Sequence, residues 1–140
     1  MKVIVVLDDQ NGMMFNNRRQ SQDMALRSRI LDLTKESKLW MNEYTAKQFE
    51  CVEQWMRVDN LFLDKAGVGE YCFVENESLL QVKDKIEEMI IFRWNRRYPG
   101  DRFLDANPET LGMTCKYIEE FEGTSHEKIT MEVWGLLVNA

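Results

Sequence analysis

The segment from Lys2 to Leu7 contains five consecutive aliphatic residues, four of them β-branched. A strand that is apolar on both faces is typical of the centre of a sheet that helices cover on each side. Residues 8 to 12, Asp-Asp-Gln-Asn-Gly, form a turn cluster that ends the strand. The segment therefore predicts a central strand in a layered α/β protein.

Helix and strand patterns alternate after this strand. From Ser21 to Leu33, apolar residues recur at three- and four-residue steps, which predicts a helix with Ser21 as its cap. The stretch from Lys38 to Asn42 is strand-like, and Glu43 to Glu50 predicts a short helix. Such alternation is typical of parallel sheets, whose strands need crossover connections.

The alternation continues to residue 94 and then changes. It predicts strands at Met56 to Val58, Glu70 to Val74 and Met89 to Trp94. It also predicts a helix at Asn60 to Ala66 and a second helix that begins near Asn76 or Ser78, with Leu79, Leu80 and Val82 facing inward. Residues 113 to 121 and 128 to 134 are strand-like and flank a turn, which predicts an antiparallel pair at one edge. The predicted fold class is α/β, with a central mixed, mostly parallel sheet, helices on both faces and a C-terminal antiparallel hairpin.

The size and charge of the chain restrict its organisation and partners. A chain of 140 residues suits one core and is too short for two, so we predict a single domain over residues 1–140. The net charge of −6 opposes attraction to nucleic acid or to an anionic membrane, so neither partner is expected. The longest apolar run is also far shorter than the ~20 residues of a membrane-spanning helix. Homo-oligomer formation is left open.

The cysteines and the histidine predict no metal site. Cys51, Cys72 and Cys115 are widely spaced, and no signal-peptide pattern precedes them, so reduced thiols in a cytoplasmic protein are expected. Zinc sites take three or four Cys or His ligands, and His126 is far from every cysteine in the sequence. A lone histidine in a hairpin turn is expected to be exposed and inert.

Residues 16 to 23, Asn-Asn-Arg-Arg-Gln-Ser-Gln-Asp, are eight consecutive polar residues. Arginine offers a planar fork to a carboxylate or a phosphate, and asparagine and glutamine both donate and accept hydrogen bonds. One interpretation is a binding site for a small polar or anionic molecule, with Asn17, Arg18, Arg19, Gln22 and Asp23 as the binding residues. In this interpretation an arginine points into a cleft and Asp23 orients it. The other interpretation is a solvated loop followed by a helix cap.

Four short strings in the chain resemble a known family. Residues 8 to 17 come directly after a hydrophobic strand and consist of an Asp, a turn that contains Gly, and a polar loop. Thr34 precedes residues 41 to 45, Met-Asn-Glu-Tyr-Thr, which correspond to a family string M-G-R-x-T. Residues 73 to 76, Phe-Val-Glu-Asn, correspond to a strand that ends in Gly-Gly, and residues 100 to 103, Gly-Asp-Arg-Phe, to G-D-T-x-F. Together these strings resemble dihydrofolate reductase over nearly the whole chain, which implies that family's fold.

The resemblance also implies where catalytic residues of a reductase would lie. The family has one carboxylate in the first helix that supports protonation of the pterin, and an ungapped count from Thr34 places Leu26 there. Asp23 lies one turn earlier and could serve only if the helix were shifted; its alternative role is that of a carboxylate favoured by the helix dipole. The family's L-P-W segment falls on residues 19 to 21, Arg-Gln-Ser, so the apolar wall over the substrate is expected to be lost. Asp23 is therefore the only catalytic candidate.

The cofactor positions implied by the resemblance depart further from the family. They are Asn42, Glu43, Thr45, Glu75 and Asn76. Glu43 replaces an arginine that helps to hold phosphates, and Glu75 and Asn76 replace glycines that let a pyrophosphate approach a helix N-terminus. Two like charges ~4 Å apart cost about 1–4 kcal/mol. Thr45 matches the family, but it also suits the start of a helix. We therefore expect no bound cofactor.

Two hypotheses about function follow from the resemblance. The first is a divergent dihydrofolate reductase-like protein with a degenerate active site, which has lost NADPH-dependent reduction and serves as a small-ligand binding or regulatory module. The alternative is a reductase-type enzyme that uses NADPH at an altered site, or an altered cofactor or substrate. Leu26, Glu43 and Glu75 favour the first hypothesis.

Overall fold

The computed structural model describes residues 1–136. Its strands are β1 (Lys2–Leu7), β2 (Gly12–Phe15), β3 (Arg18–Arg19), β4 (Leu39–Met41), β5 (Met56–Val58), β6 (Tyr71–Phe73), β7 (Glu88–Arg93), β8 (Arg102–Phe103), β9 (Met113–Phe121) and β10 (Ile129–Leu136). Its α-helices are α1 (Met24–Thr34), α2 (Glu43–Ala46) and α3 (Phe62–Lys65), and two 3-10 helices span Leu80–Lys85 and Pro108–Leu111. The domain predicted over residues 1–140 includes residues 137–140, which lie outside the described residues.

Strand β1 lies at the centre of a seven-stranded sheet with the order β5-β4-β6-β1-β7-β10-β9. It pairs in parallel with β6 on one side and with β7 on the other. Strands β4 and β5 extend the parallel part, whereas β10 runs antiparallel to both β7 and β9. The predicted central strand, the mostly parallel sheet and the hairpin that closes one edge are therefore confirmed.

Apolar cores cover both faces of β1. Val5 lies in one core and Ile4 in the other, and neither side chain has exposed surface. The Ile4 side is covered by α1 through Ile30, and the Val5 side by α3 through Phe62. Since adjacent side chains on a strand point to opposite faces, a continuous aliphatic run is what this two-sided burial requires.

A second, three-stranded sheet with the order β3-β2-β8 occupies a region where the sequence predicted only a turn and a polar loop. Asn16 and Asn17 form its two-residue turn, both with positive φ, in the backbone region that tight hairpins use. Met13 and Met14 on β2 are buried in the core beside β1. Two adjacent methionines show no strand alternation, and asparagine replaces the usual glycine of such turns, which is why the pattern did not reveal this hairpin.

Helix α1 begins later than predicted. Its N-cap is Asp23, whose side chain accepts a hydrogen bond from the backbone N–H of Leu26, so Ser21 is not the cap. Both residue types cap helices well, and the sequence does not distinguish between them. The choice matters because the start at Asp23 leaves Ser21 free to make other contacts.

The other helices are shorter than predicted. Helix α2 spans four residues, and the segment after β6 forms a 3-10 helix, in which residues three apart share a face. Leu79 and Val82 are therefore both buried, whereas Leu80, predicted to be inward, is 54% exposed. Among the helices of residues 1–136, none is long and apolar enough to cross a membrane.

Truncation of the central strand should be costly. We expect Val5→Ala to lower the free energy of unfolding by about 2 kcal/mol, because it removes buried methyl groups and leaves a cavity. The control Val68→Ala, at a side chain that is 90% exposed, should change it by less than about 0.5 kcal/mol. Urea unfolding followed by circular dichroism measures both. Equal costs at the two valines would contradict the central position of β1.

Candidate functional site

A cleft opens at the carboxyl ends of the parallel strands, between β1, β6 and β7. Its walls come from the segment between β3 and α1, from α1 itself and from the residues that follow β6. About 400 Å³ of the cleft, including its open mouth, is free of protein atoms, but only about 20 Å³ is wide enough to hold the centre of a water molecule. That is room for about one water molecule, so the protein's own side chains nearly fill the cleft.

A buried aspartate fixes the loops around this cleft. Asp8, directly after β1, is 1% exposed, and its Oδ1 accepts hydrogen bonds from the backbone N–H groups of Gly12 (2.7 Å) and Gln10 (2.9 Å). Its Oδ2 accepts one from the backbone N–H of Tyr98 at 3.1 Å. A Cβ at Gly12 would lie 2.9 Å from Asp8 Oδ1, so a side chain there would push the carboxylate away. The polar turn after β1 thus holds two loops in place.

Arg19 and Glu75 form an ion pair that lines the cleft. Nε and Nη2 of Arg19 donate to Oε2 and Oε1 of Glu75 at 2.9 and 3.0 Å, which is the paired geometry that suits a guanidinium and a carboxylate. The side chains are 16% and 10% exposed. Burial lowers the pKa of Arg19, but the hydrogen bond and charge of Glu75 outweigh it, and the net pKa is raised. Arg19 therefore keeps its positive charge where it contacts the carboxyl group of Glu75.

Helix α2 and the residues after it support this pair. The Arg19 guanidinium lies over the Tyr44 ring, 4.6 Å from its centroid, and the Tyr44 hydroxyl accepts from the Arg19 backbone N–H at 3.1 Å. Nε2 of Gln48 donates to Oε1 of Glu75 at 3.2 Å. The sequence prediction omitted Tyr44 as a site residue and Gln48 altogether. Tyr44 and Gln48 are four residues apart, a spacing that places side chains on one face of the predicted helix over residues 43 to 50. This spacing was the sequence signal that could have identified them as neighbours in the site.

Asp23 is tied to the turn between β9 and β10. It is 3% exposed, and its carboxylate accepts from the backbone N–H groups of Thr124 (3.0 Å) and Ser125 (2.8 Å), besides Leu26. Nδ1 of His126 lies 3.2 Å from Oδ2. Burial raises the pKa of Asp23, but these four hydrogen bonds together lower it far below its usual value. Asp23 therefore stays ionised and joins α1 to the distant hairpin.

His126 is buried, which corrects the expectation that it would be exposed. It is 4% exposed, and its ring stacks on Trp94 with centroids 4.3 Å apart and planes 23° apart. Nε2 faces two hydroxyl groups, those of Tyr98 at 2.9 Å and Ser21 at 3.2 Å. Asp23 on one side and Trp94 beneath stabilise this position. Asp23 lies 103 residues and Trp94 about 30 residues before His126 in the chain, so the burial of His126 has no local sequence signal.

The predicted binding residues divide between the cleft and the surface. Arg19, Gln22 and Asp23 line the cleft, whereas Arg18 is exposed and lines a separate surface groove. Asn17 is exposed in the hairpin turn. The prediction that Asp23 orients an arginine is wrong. Arg19 does point inward, but Asp23 accepts its hydrogen bonds from other groups, and Glu75 is the carboxylate that orients Arg19.

The positions implied for a cofactor lie at the ends of β4 and β6. Asn42 caps α2 and donates from Nδ2 to Oδ1 of Asn76 at 2.8 Å. Glu43 is exposed, and Glu75 is held by Arg19. The Thr45 hydroxyl is buried and has no hydrogen-bond partner within the described part of the chain. Over the same residues, no cluster of three or more His, Cys, Asp or Glu side chains could hold a metal ion.

Comparison with known proteins identifies the fold. The sequence matches no protein-family model and no curated protein. The structure is similar to that of dihydrofolate reductase from Enterococcus faecalis complexed with NADP(H) and RAB-propyl, with a TM-score of 0.66 over 96% of this chain and 94% of that chain. The two sequences are 9% identical. The likeness establishes a dihydrofolate reductase-like fold, as the four short strings predicted.

The carboxylate of Asp23 should control stability in acid. Its folded-state pKa is lowered, so its contribution is complete above the unfolded pKa near 3.9 and is lost as the pH falls below that value. At pH 7 we expect Asp23→Asn to lower the free energy of unfolding by about 2 kcal/mol, because a helix cap and charge-assisted hydrogen bonds are weakened.

The pH dependence separates this effect from a general loss of packing. The difference between Asp23→Asn and the parent should shrink as the pH falls from about 5 to 2, because the carboxylate of the unfolded parent chain becomes protonated there while that of the folded protein stays ionised. Asp32→Asn, on the exposed face of α1, is the control and should cost less than about 0.5 kcal/mol at pH 7. Urea titrations over this pH range test it, and a constant difference at every pH would contradict the assignment.

Proposed function

We propose that this protein is a divergent dihydrofolate reductase-like module that binds a small polar, anionic molecule at the strand-end cleft and does not catalyse NADPH-dependent reduction. The observation that carries this proposal is the ion pair of Arg19 and Glu75 within the cleft. A guanidinium that already holds a carboxylate through two hydrogen bonds presents the geometry that recognises a carboxylate or a phosphate. An anionic ligand would take the place of Glu75 on Arg19.

The lining of the cleft supports a small ligand rather than a dinucleotide. Only about 20 Å³ of the cleft is wide enough to hold the centre of a water molecule. The side chains of Gln48 and Glu75, which are hydrogen-bonded to each other, line it. Displacement of Glu75 alone opens space for a group of a few atoms. A pyrophosphate would also meet the side chain of Asn76, which is held by Asn42.

We attribute the proposed poor binding of NADPH to a different physical cause from the one that the sequence suggested. The charge of Glu75 was expected to repel phosphates, but Arg19 neutralises most of that charge locally. The obstacle is instead the bulk of paired, hydrogen-bonded side chains at positions where the family has glycine. The solved neighbour is complexed with NADP(H), and we propose that this chain differs from it in that respect.

The acids of the cleft also argue against reduction. Leu26, at the position of the family's carboxylate, is 3% exposed in the core, so it supplies no proton donor. Within residues 1–136, the acids that line the cleft are Asp23 and Glu75. Asp23 is held ionised by its hydrogen bonds, and both oxygens of Glu75 accept hydrogen bonds from Arg19, so neither carboxyl group is free to support protonation of a substrate ring.

One observation favours the alternative of an enzyme with an altered cofactor. Thr45 matches the family's nucleotide-contacting threonine, and its buried hydroxyl has no partner in the described residues. An unpaired buried hydroxyl costs about 1–3 kcal/mol, which a ligand at the start of α2 would recover. The two functions differ in whether reduced nicotinamide is consumed.

The role of Arg19 can be tested with inorganic phosphate as the probe. At tenfold its Kd, phosphate should stabilise the protein by about 1.4 kcal/mol, or about 3–6 °C in Tm. Arg19→Gln should abolish this shift, and Glu75→Gln should raise phosphate affinity about tenfold because the competing carboxylate loses its charge. Arg102→Gln, an exposed arginine elsewhere, is the control and should keep the parent shift. A full shift in Arg19→Gln would contradict the proposal.

Loss of reduction can be tested directly. With millimolar NADPH and dihydrofolate, we expect no decrease in the absorbance of reduced nicotinamide above that of a buffer control, because the cofactor does not enter the cleft. Calorimetric titration of NADPH should likewise show no saturable heat. Micromolar binding together with NADPH consumption would support the alternative enzyme and overturn the binding-module proposal.

A further inference from the structure

The buried cluster around His126 contains an arrangement that the binding proposal does not use. Ser21 Oγ lies 3.2 Å from His126 Nε2, and His126 Nδ1 lies 3.2 Å from Asp23 Oδ2. We propose that Ser21 is a nucleophile with His126 as its general base, acting on small acyl esters or thioesters. A hydroxyl within reach of a base that a third group orients is the arrangement that nucleophilic catalysis requires.

The proton positions follow from the chemistry of Asp23. An ionised carboxylate only accepts hydrogen bonds, so His126 Nδ1 carries the proton and donates it toward Asp23. Nε2 is then the basic nitrogen, and Ser21 is on that side of the ring. Stacking on Trp94 holds the plane of the ring. Asp23 and Trp94 are positioning residues, whereas Ser21 and His126 touch the reacting atoms.

The same reasoning identifies Ser21 rather than its neighbours. Ser125 Oγ lies 3.1 Å from Nδ1, but that nitrogen already carries a proton and cannot accept another. The Tyr98 hydroxyl shares Nε2 at 2.9 Å, so it competes with Ser21 for the same lone pair in the resting state. Removal of the Tyr98 hydroxyl should therefore leave Ser21 at least as reactive.

The surroundings of Ser21 indicate the class of substrate. Ser21 lines the cleft, and Arg19 and Gln20 line both the cleft and a wider surface groove, which spans about 910 Å³ compared with about 400 Å³ for the cleft. Phe15 and Pro99 give that groove apolar surface, and Arg18 gives it a positive charge. A short acyl group with a polar or anionic end fits this lining.

The proposed reaction has two balanced steps. Ser21 Oγ attacks the carbonyl carbon as its proton moves to His126 Nε2, and the alcohol or thiol leaves with that proton, giving acyl-Ser21. Water then attacks the acyl carbon, again losing a proton to Nε2. The carboxylic acid is released, and Ser21 regains its hydrogen from His126. No oxidant or reductant is needed.

The test uses 4-nitrophenyl acetate as substrate and a fluorophosphonate as trapping reagent. Ser21→Ala should lower 4-nitrophenol release by about 100-fold, because it removes the nucleophile that His126 activates. Ser28→Ala, at an exposed serine on α1, should match the parent, and Tyr98→Phe should be at least as fast. Intact-mass and peptide analysis of the trapped parent should show one adduct, on Ser21.

Asp23→Asn tests the positioning role. In the folded variant, confirmed by circular dichroism, kcat should fall at unchanged KM, because the imidazole loses its fixed orientation while the groove is intact. An adduct on Ser125, Tyr98 or a lysine, or equal ester hydrolysis by Ser21→Ala and the parent, would overturn the proposal. The phosphate experiment on Arg19 is independent of these outcomes, so the two proposals can fail separately.

Discussion

Strand β1 has no face that meets solvent, and this constraint governs the arrangement of the rest of the chain. Two apolar cores must cover it, so α1 lies on one side and α3 and the first 3-10 helix on the other. Its parallel neighbours β6 and β7 require crossovers that bring the chain back to the same edge. The loops that follow these strands therefore lie together at the carboxyl edge. Asp8, Glu75 and Trp94 lie near the starts of the three loops, and these loops surround the cleft. Ligand sites in open α/β sheets lie at that edge for the same reason.

The ionised carboxylate of Asp23 then connects this edge to the C-terminal hairpin. It joins the first turn of α1 to the turn after β9, about a hundred residues later in the chain, through five donors. A buried charge is tolerated only when its acceptor sites are filled, so the hairpin turn must stay in place for Asp23 to stay ionised. Gly123 lies against this carboxylate, and a Cβ there would come within 2.5 Å of it. The hairpin turn consequently fixes the part of the candidate site that contains His126.

The sequence predicted those parts of the fold and of the candidate site that depend on residues close to one another in the chain. Strand β1, the strands up to β7 and the final hairpin have short-range patterns, and these strands were predicted at nearly their observed bounds, whereas the helices between them are shorter than predicted. The hairpin at Asn16 and Asn17 was missed because two methionines carry too little periodicity. One interpretation of the polar loop had Arg18 or Arg19 pointing inward, and Arg19 does so, but its partner was not predicted because Glu75 lies 56 residues away. His126 was placed on the surface because the residues that contact it, Ser21 and Asp23 on one segment and Trp94 on another, are distant from it in the sequence.

The pairing of Arg19 with Glu75 changes how the departures from the reductase pattern should be interpreted. Taken singly, an arginine in place of the apolar loop residue and a glutamate in place of glycine are both unfavourable for a nicotinamide site. Taken together, they neutralise each other within a nearly closed cleft, and Tyr44 and Gln48 provide further contacts to them. A half-buried ion pair gains little net stability, since desolvation offsets much of the attraction. The two hydrogen bonds of the pair instead satisfy both side chains inside the fold. The two departures from the reductase pattern therefore compensate each other on opposite walls of the cleft.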